Sequence, residues 1–166
     1  MNNYLGFTQA QLLSAMDYNP VTGVLTRRKN GKQVVKSPSQ PYVKFKLGNV
    51  LLYAHRAAFL MAAGYLPAEI DHINHDSCDN RWCNLRPATR STNAKNRGMN
   101  RNNTSGFCGV RWFPPTRKWR AQIKSGGVQM FLGDFVSKEG AIAARLHAER
   151  EYAFHENHGD RKEQTI

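Results

Sequence analysis

Acidic residues are missing from two long stretches of this chain. Between Tyr18 and Ala68 there is no Asp or Glu against eight Lys and Arg, and between Asn80 and Gly133 there is again none, against eleven. A surface of one sign repels itself unless a polyanion screens it, and nucleic acid is the usual partner for such a field. Solubility alone, or an anionic membrane, is the blander reading of the charge. No amphipathic basic helix of the membrane-surface kind accompanies it. No run approaches the roughly 18 apolar residues of a membrane span, and "MNNYLGFTQAQLL" has neither the basic start nor the apolar core of a signal peptide. The expectation is a soluble cytoplasmic protein. Three cysteines, Cys78, Cys83 and Cys108, are an odd number without an export signal and read as reduced thiols, not a disulfide framework. There is no internal repeat or low-complexity tract. With 40% hydrophobic residues in 166, several small cores are expected instead of one large one.

What is present falls into modules. In residues 1–64, "TQAQLLSAM" predicts a short helix capped by Thr8, with Leu12, Leu13 and Met16 on one side. "NPVTGVLTRR" is a turn entering a strand, and "YVKFKL" with the Gly48-Asn49 turn predicts a hairpin that uses Tyr42, Phe45 and Leu47. "YAHRAAFLMAAG" predicts a helix ending at Gly64. In residues 65–97, "AEIDHI" and "NLRP" read as short strands separated by a loop of turn formers, and "ATRSTNAKNR" as a polar helix. Residues 98–105 read as a linker. Residues 106–158 carry three strands, "FCGVRWF", "KWRAQIKS" and "VQMFLGDF", and a helix capped by Ser137 that brings Ile142, Leu146 and Ala153 to the sheet. Along the middle strand Trp119, Ala121 and Ile123 face one way. Arg120, Gln122 and Lys124 face the other, forming a cationic plate in an acid-free stretch. Residues 159–166 are a tail.

The stretch "DHINHDSCDNRWCNLRPATRSTNAKNR", Asp71 to Arg97, carries the candidate chemistry. One reading is structural zinc held by His72, His75, Cys78 and Cys83. These four lie within twelve residues, so they would clamp no second segment, and structural zinc usually ties two segments together. A second reading is an ordinary polar loop, which accounts for Asn74, Asp76, Asp79 and Asn80 as turn formers. It does not account for Asp71 and His72, placed on a predicted strand between Ile70 and Ile73. Trp82 is expected to pack the loop onto a small core and Cys83 to fill a buried place. His55 and Arg56 either approach the site from the preceding helix or simply pack.

The third reading rests on a family. "IDHINHD" followed by "NLRPATRSTNAKN" resembles the HNH endonucleases of phages and mobile introns, as does the upstream "AHRAAFLMAAGYLP". The resemblance implies a ββα-metal core of strand, loop, strand and helix around one divalent ion. His72 takes the position of the general base, Asn84 that of the central Asn, and Asn93 the third position, where His is frequent. Oxygen ligands from Asp71 and Asn93 suit a hard cation such as Mg²⁺ or Mn²⁺. A neutral His72 can take a proton from water near pH 7, and Asn84 is expected to hydrogen-bond across the loop backbone and so fix His72. Arg86 and Arg90 flank the site and can grip phosphates.

"SGFCGVRWFPPTRKWRAQIKSGGVQMFLGDFVSKEGAIAARLHAE" resembles the AP2 DNA-binding domain, a three-stranded sheet backed by a helix and laid in the major groove. The resemblance places Arg111 and Lys124 at basic contact positions. Cys108 stands where that family often has arginine. Arg120 suits guanine and Gln122 adenine in direct readout, Arg117 and Lys118 suit phosphates, and Trp119 suits either core or groove. The expected protein is thus α+β: an N-terminal mixed α/β platform, an HNH core and an AP2-like recognition domain. Its partner is double-stranded DNA, nicked or cut in a bacterial host cell by a phage or mobile-element enzyme, with no membrane and no obligatory protein partner. A non-catalytic DNA-binding regulator on the same scaffold, or a zinc-stabilised binding module, are the competing expectations.

Overall fold

The computed structural model describes residues 3–100, 102–156 and 158–160. The chain divides into two compact units, Met1–Thr89 and Arg90–Ile166. The division falls inside the 65–97 segment, after its second strand. The expected tail lies outside the described residues from 161 onward.

The first unit opens with a small ribbon of β1 (Asn3–Tyr4) and β2 (Phe7–Thr8), then α1 (Gln9–Ala15). Thr8 caps α1 through a reciprocal box with Gln11, satisfying two N–H groups the helix cannot pair internally. Leu12 and Met16 are fully buried, whereas Leu13 is 41% exposed, because it sits one residue round the helix from the inward stripe. Strands β3 (Met16–Tyr18) and β4 (Leu25–Arg27) pair antiparallel, as do β5 (Lys44–Leu47) and β6 (Val50–Tyr53) across the Gly48-Asn49 turn. Val43 and Phe45 point inward from this hairpin; Tyr42 lies on the opposite side and is partly exposed.

Helix α2 (Ala54–Ala63) ends where expected. Gly64 takes φ 76° and returns its N–H to the Leu60 carbonyl, a left-handed cap that suits glycine. The helix is buried on two sides, which its small alanines permit. Ala54, Ala57, Leu60 and Met61 join Leu12, Met16, Leu25, Phe45 and Leu52 in one cluster. Ala58 and Phe59 join Ile70 and Leu85 in a second. Each fully buried Leu or Phe contributes about 1.5–3 kcal/mol, so α2 fastens the platform to the last pair of strands, β7 (Glu69–His72) and β8 (Leu85–Ala88).

The second unit begins with α3 (Arg90–Lys95). It continues with β9 (Val110–Phe113), β10 (Lys118–Ser125) and β11 (Val128–Phe135), an antiparallel sheet in the order β11-β10-β9. Helix α4 (Lys138–Glu151), capped by the Ser137 hydroxyl, closes one face. Ala121 and Ile123 are buried as the alternation predicts, with a bulge between Ala121 and Gln122. Trp119 resolves to the core side, packed with Val110, Ala121 and Ala141. Ile142 packs against the sheet core as expected, but the rest of the face α4 turns inward differs from expectation. It is Ala141, Arg145 and Ala148 that are buried, Leu146 is exposed, and Ala153 lies beyond the helix end. A buried arginine was not foreseen from hydrophobic periodicity. Arg145 is held by Glu149 at 2.9 Å and by the Gln122 carbonyl at 3.0 Å, which lets an ionic side chain occupy a core position.

Candidate active site

In the first unit β7 and β8 run antiparallel with Asp71 opposite Arg86 and His72 opposite Leu85. Side chains alternate along a strand, so Asp71 and His72 leave β7 on opposite faces, and both are buried, 6% and 7% exposed. Directly opposed residues share a face, and Arg86 accordingly donates from Nε (2.9 Å) and from its terminal nitrogen (2.6 Å) to Asp71 Oδ2. Arg86, expected to grip phosphate, is thus an orienting partner of Asp71.

The loop from Ile73 to Cys83 is organised by side chains. Asn84 Oδ1 accepts from the Asn74 backbone N–H (2.9 Å), and its Nδ2 donates to the Asp79 carbonyl (2.8 Å). One buried amide thereby ties both ends of the loop. Asn74 and Asp76 accept from the backbone N–H groups of Asp76 and Cys78, the short-range turns that these residue types favour. The platform grips the loop from outside. Tyr18 donates its hydroxyl to the Asn80 carbonyl (2.8 Å), Trp82 N–H donates to the Pro20 carbonyl (2.9 Å), and Ser77 donates to the Pro41 carbonyl. Burial pushes the Tyr18 phenol up to about 12, so it stays a donor.

His72 Nε2 lies 3.3 Å from Asn80 Oδ1. An amide oxygen only accepts, so in this pairing the imidazole is the donor, from Nε2. Burial holds the imidazole below its usual value, against the opposite pull of Asn80 and the carboxylates of Asp71, Asp76 and Asp79. It is neutral at pH 7, as a general base must be. Around it stand His55, 5.1 Å away between ring centres and 70° inclined, and Tyr42 at 6.2 Å. Tyr53 is 5.7 Å from both Tyr42 and His55.

The structure thus gathers Asp71, His72, Asn84 and Arg86 in one unit, sets His55 beside His72 as one of the two readings of that residue had it, and adds Asn80, Tyr18 and Tyr42, whose proximity the linear spacing did not display. Asn80 looked like any turn former. Asn93 and Arg90 sit on α3, in the second unit. The zinc reading finds no support, since among the described residues no group of three or more His, Cys, Asp or Glu is placed to hold a metal. The Cys78 thiol points to the Pro41 carbonyl at 3.5 Å. Cys83 is exposed, not a buried filler, because the 3₁₀ turn over Trp82–Asn84 directs Asn84 inward instead. Trp82 does pack on Phe59, 5.0 Å between ring centres, with 38% of its surface exposed.

A buried, neutral histidine at the end of the first strand, a loop closed by an asparagine and a second strand behind it make up a recognisable arrangement. Residues 52–95 match the HNH endonuclease family model. The HNH match spans the end of β6, all of α2, the β7–loop–β8 unit and α3, and so takes in His55, Asp71, His72, Asn84 and Asn93. It supports a nuclease in general, with nucleic acid as its substrate. No curated protein and no solved structure matches the chain.

On the β9–β11 sheet, Arg111, Arg117, Lys118 and Lys124 are exposed. Arg120 is not a spare cation. It makes a two-pronged pair with Asp134, both contacts 2.7 Å, and lies 3.4 Å over the Phe113 ring. The plate expected to be acid-free therefore contains one carboxylate, contributed by the first residue after the acid-free stretch and brought opposite Arg120 by strand register. Gln122 accepts from the Gln129 amide at 2.7 Å.

Proposed function

We propose that the protein is a metal-dependent DNA endonuclease of the HNH type in which His72 deprotonates the attacking water. The observation that carries this reading is the state of His72: buried, neutral and within hydrogen-bond reach of Asn80, inside the segment that matches the HNH family. Asn84 serves by closing the loop that positions Asn80. Asp71 fits a hard divalent cation such as Mg²⁺ or Mn²⁺: it is an oxygen donor whose carboxylate is steadied by Arg86, as metal-ligating carboxylates commonly are. Such an ion binds through one or two protein oxygens and keeps several waters, and Asn93 is the second donor by resemblance. When bound, the ion neutralises charge on the phosphate and on the leaving oxygen. The β9–β11 unit is the DNA-recognition domain in this reading, AP2-like, with Arg111, Arg117, Lys118 and Lys124 toward phosphates or bases and Gln122 on the same face. A homing or phage-borne enzyme is the biological setting it suits, and the five-part division at residues 64, 97, 105 and 158 is its functional layout in this reading.

The test is cleavage of supercoiled plasmid with Mg²⁺ or Mn²⁺, with and without chelator. Wild type converts the plasmid to nicked or linear form only with metal. His72→Ala slows this by about 10²–10⁴-fold, the usual worth of a general base, and keeps its DNA affinity. A His72→Ala protein that cuts as fast as wild type ends the assignment.

A further inference from the structure

A bulge in β11 decides where Phe131 points. Ala121 faces Gly133, but the next residue of β10, Gln122, faces Phe131 and not Leu132. In a regular register Leu132 would lie opposite Gln122, and Phe131 opposite Ile123, which is buried. A shift of one residue sends the side chains beyond it to the other face. The bulge keeps Leu132 packed on the core of Val110, Ala121 and Ala141 and turns Phe131 to the outer face with Arg120 and Gln122. There it is 63% exposed, the most exposed aromatic ring among the described residues. A lone exposed ring is ordinary. This one is aimed by a bulge, a device that redirects side chains, and it stands among cations, since Arg111, Lys118 and Lys124 are exposed on the same face.

Arg120, expected to suit guanine, is already engaged. Besides its pair with Asp134, its guanidinium lies 3.4 Å over the Phe113 ring and 5.1 Å from the centre of the Phe131 ring, so it braces the two rings. Gln122 and Phe131 are left as the base-reading groups at the middle of the face, directly opposed across β10 and β11. Gln129 donates to Gln122 Oε1 at 2.7 Å and holds that amide on the face. In the major groove a glutamine amide pairs with adenine, and an apolar side chain contacts the C5-methyl of thymine. Opposed side chains start about 4.5–5.5 Å apart, against about 3.4 Å between successive bases of a strand, so the two fall on one base pair or on neighbours. We propose that the outer face of β10 and β11 reads a step of A·T pairs in duplex DNA, with Phe131 packed on a thymine methyl and Gln122 beside it on adenine. The inference rests on the DNA-recognition role given to this unit above. Duplex DNA is the occupant because the exposed cations call for phosphates and the methyl group lines its major groove.

The experiment uses the full-length protein without added metal, so that binding is read apart from cutting. Preferred duplexes are selected from a random-sequence pool, and each thymine of the selected site is replaced in turn by deoxyuridine, which removes only the methyl group. One methyl-sized group taken from water is worth about fourfold in affinity. Wild type should therefore bind about fourfold more weakly when one particular thymine is replaced. Phe131→Ser should bind the parent duplex about tenfold more weakly than wild type and bind thymine and uracil at that position equally, with a thermal midpoint within about 3 °C of wild type. Phe131→Leu should keep part of the difference between the two bases. A merely structural ring would not move that ratio. A selected site in which no thymine responds to the replacement overturns the proposal, and so does a Phe131→Ser protein that still tells thymine from uracil. Should Phe131→Ser not fold, Phe131→Gln is held to the same criterion. Wild type that cuts plasmid but shows no such thymine loses this inference alone. Wild type that shows the preference but cuts nothing loses the nuclease reading alone, and wild type without affinity for duplex DNA overturns the recognition role and this inference together.

Discussion

Neutral imidazoles buried side by side tie the stability of the first unit to pH. The folded-state pKa of His55 lies at about 3 because burial disfavours its charge, while in the unfolded chain it returns to about 6.5. The unfolded state therefore binds a proton that the native state refuses throughout that window. Stability associated with His55 is complete above about pH 6.5 and is lost progressively as pH falls toward about 3, at about 1.4 kcal/mol per pH unit, to a ceiling of roughly 5 kcal/mol. His72, shifted the same way by burial, adds to the trend. Denaturant unfolding from pH 7 to pH 4 should show stability declining, and His55→Phe should flatten that decline. Parallel curves for the two proteins would mean that His55 is not buried as described. At this scale the resemblance of the sequence to HNH endonucleases pointed to His72, Asp71 and Asn84. Asn80 stayed hidden because a side-chain partner eight residues away is set by how the chain turns, not by local pattern, and for His55 the local pattern left approach to the site and plain packing open until the packing of α2 set its ring against His72.

The β7–loop–β8 element owes its shape to the platform as much as to its own residues. Gly23, in the turn between β3 and β4, takes φ 75° and lies so close to the loop that a Cβ there would stand 2.5 Å from the Arg81 nitrogen and 2.6 Å from the Asn80 carbonyl carbon. Only glycine permits that approach. Gly23→Ala should therefore push Asn80 away from His72, although residue 23 carries no chemistry. The expected effect is a destabilisation of about 2 kcal/mol or more, from backbone strain and overpacking together, and a fall in plasmid nicking at unchanged metal requirement. Wild-type stability and nicking in this variant would contradict the close approach. Element type and order were largely legible: Thr8, Gly64 and Ser137 marked helix ends, and Gly48-Asn49 and Gly126-Gly127 marked hairpins. The inward face of α4 was legible only at Ile142, because a hydrophobic pattern cannot anticipate that Glu149 and a carbonyl of β10 would satisfy a buried Arg145.

At the scale of the whole molecule, the acid-poor stretches fall in both units, and each presents cations suited to a polyanion. On the β9–β11 sheet those cations are not equivalent. Lys124 is exposed without an acid opposite it on β11, where its partner is Gln129, while Arg120 is neutralised by Asp134. Each phosphate contact contributes about 0.9 to the slope of log affinity against log salt. Lys124→Gln should reduce the magnitude of that slope by about 0.9, and Arg120→Gln by clearly less, measured by fluorescence anisotropy with duplex DNA between 50 and 200 mM salt. Equal changes for the two variants would show that Asp134 does not hold Arg120 in the complex.

The sequence by itself determined the charge field and the kinds and order of the elements, because these depend on composition, short-range periodicity and spacing, while the base, loop asparagine and oxygen ligand came as what its resemblance to HNH endonucleases implies. Tertiary structure alone decided which groups meet. Strand register set Arg86 on Asp71 and Asp134 on Arg120, the packing of α2 set His55 on His72, and the closeness of Gly23 to the loop put Asn80 in reach of the imidazole. Those contacts join residues far apart in the chain, and only burial, which makes an unpaired polar group costly, selects among them.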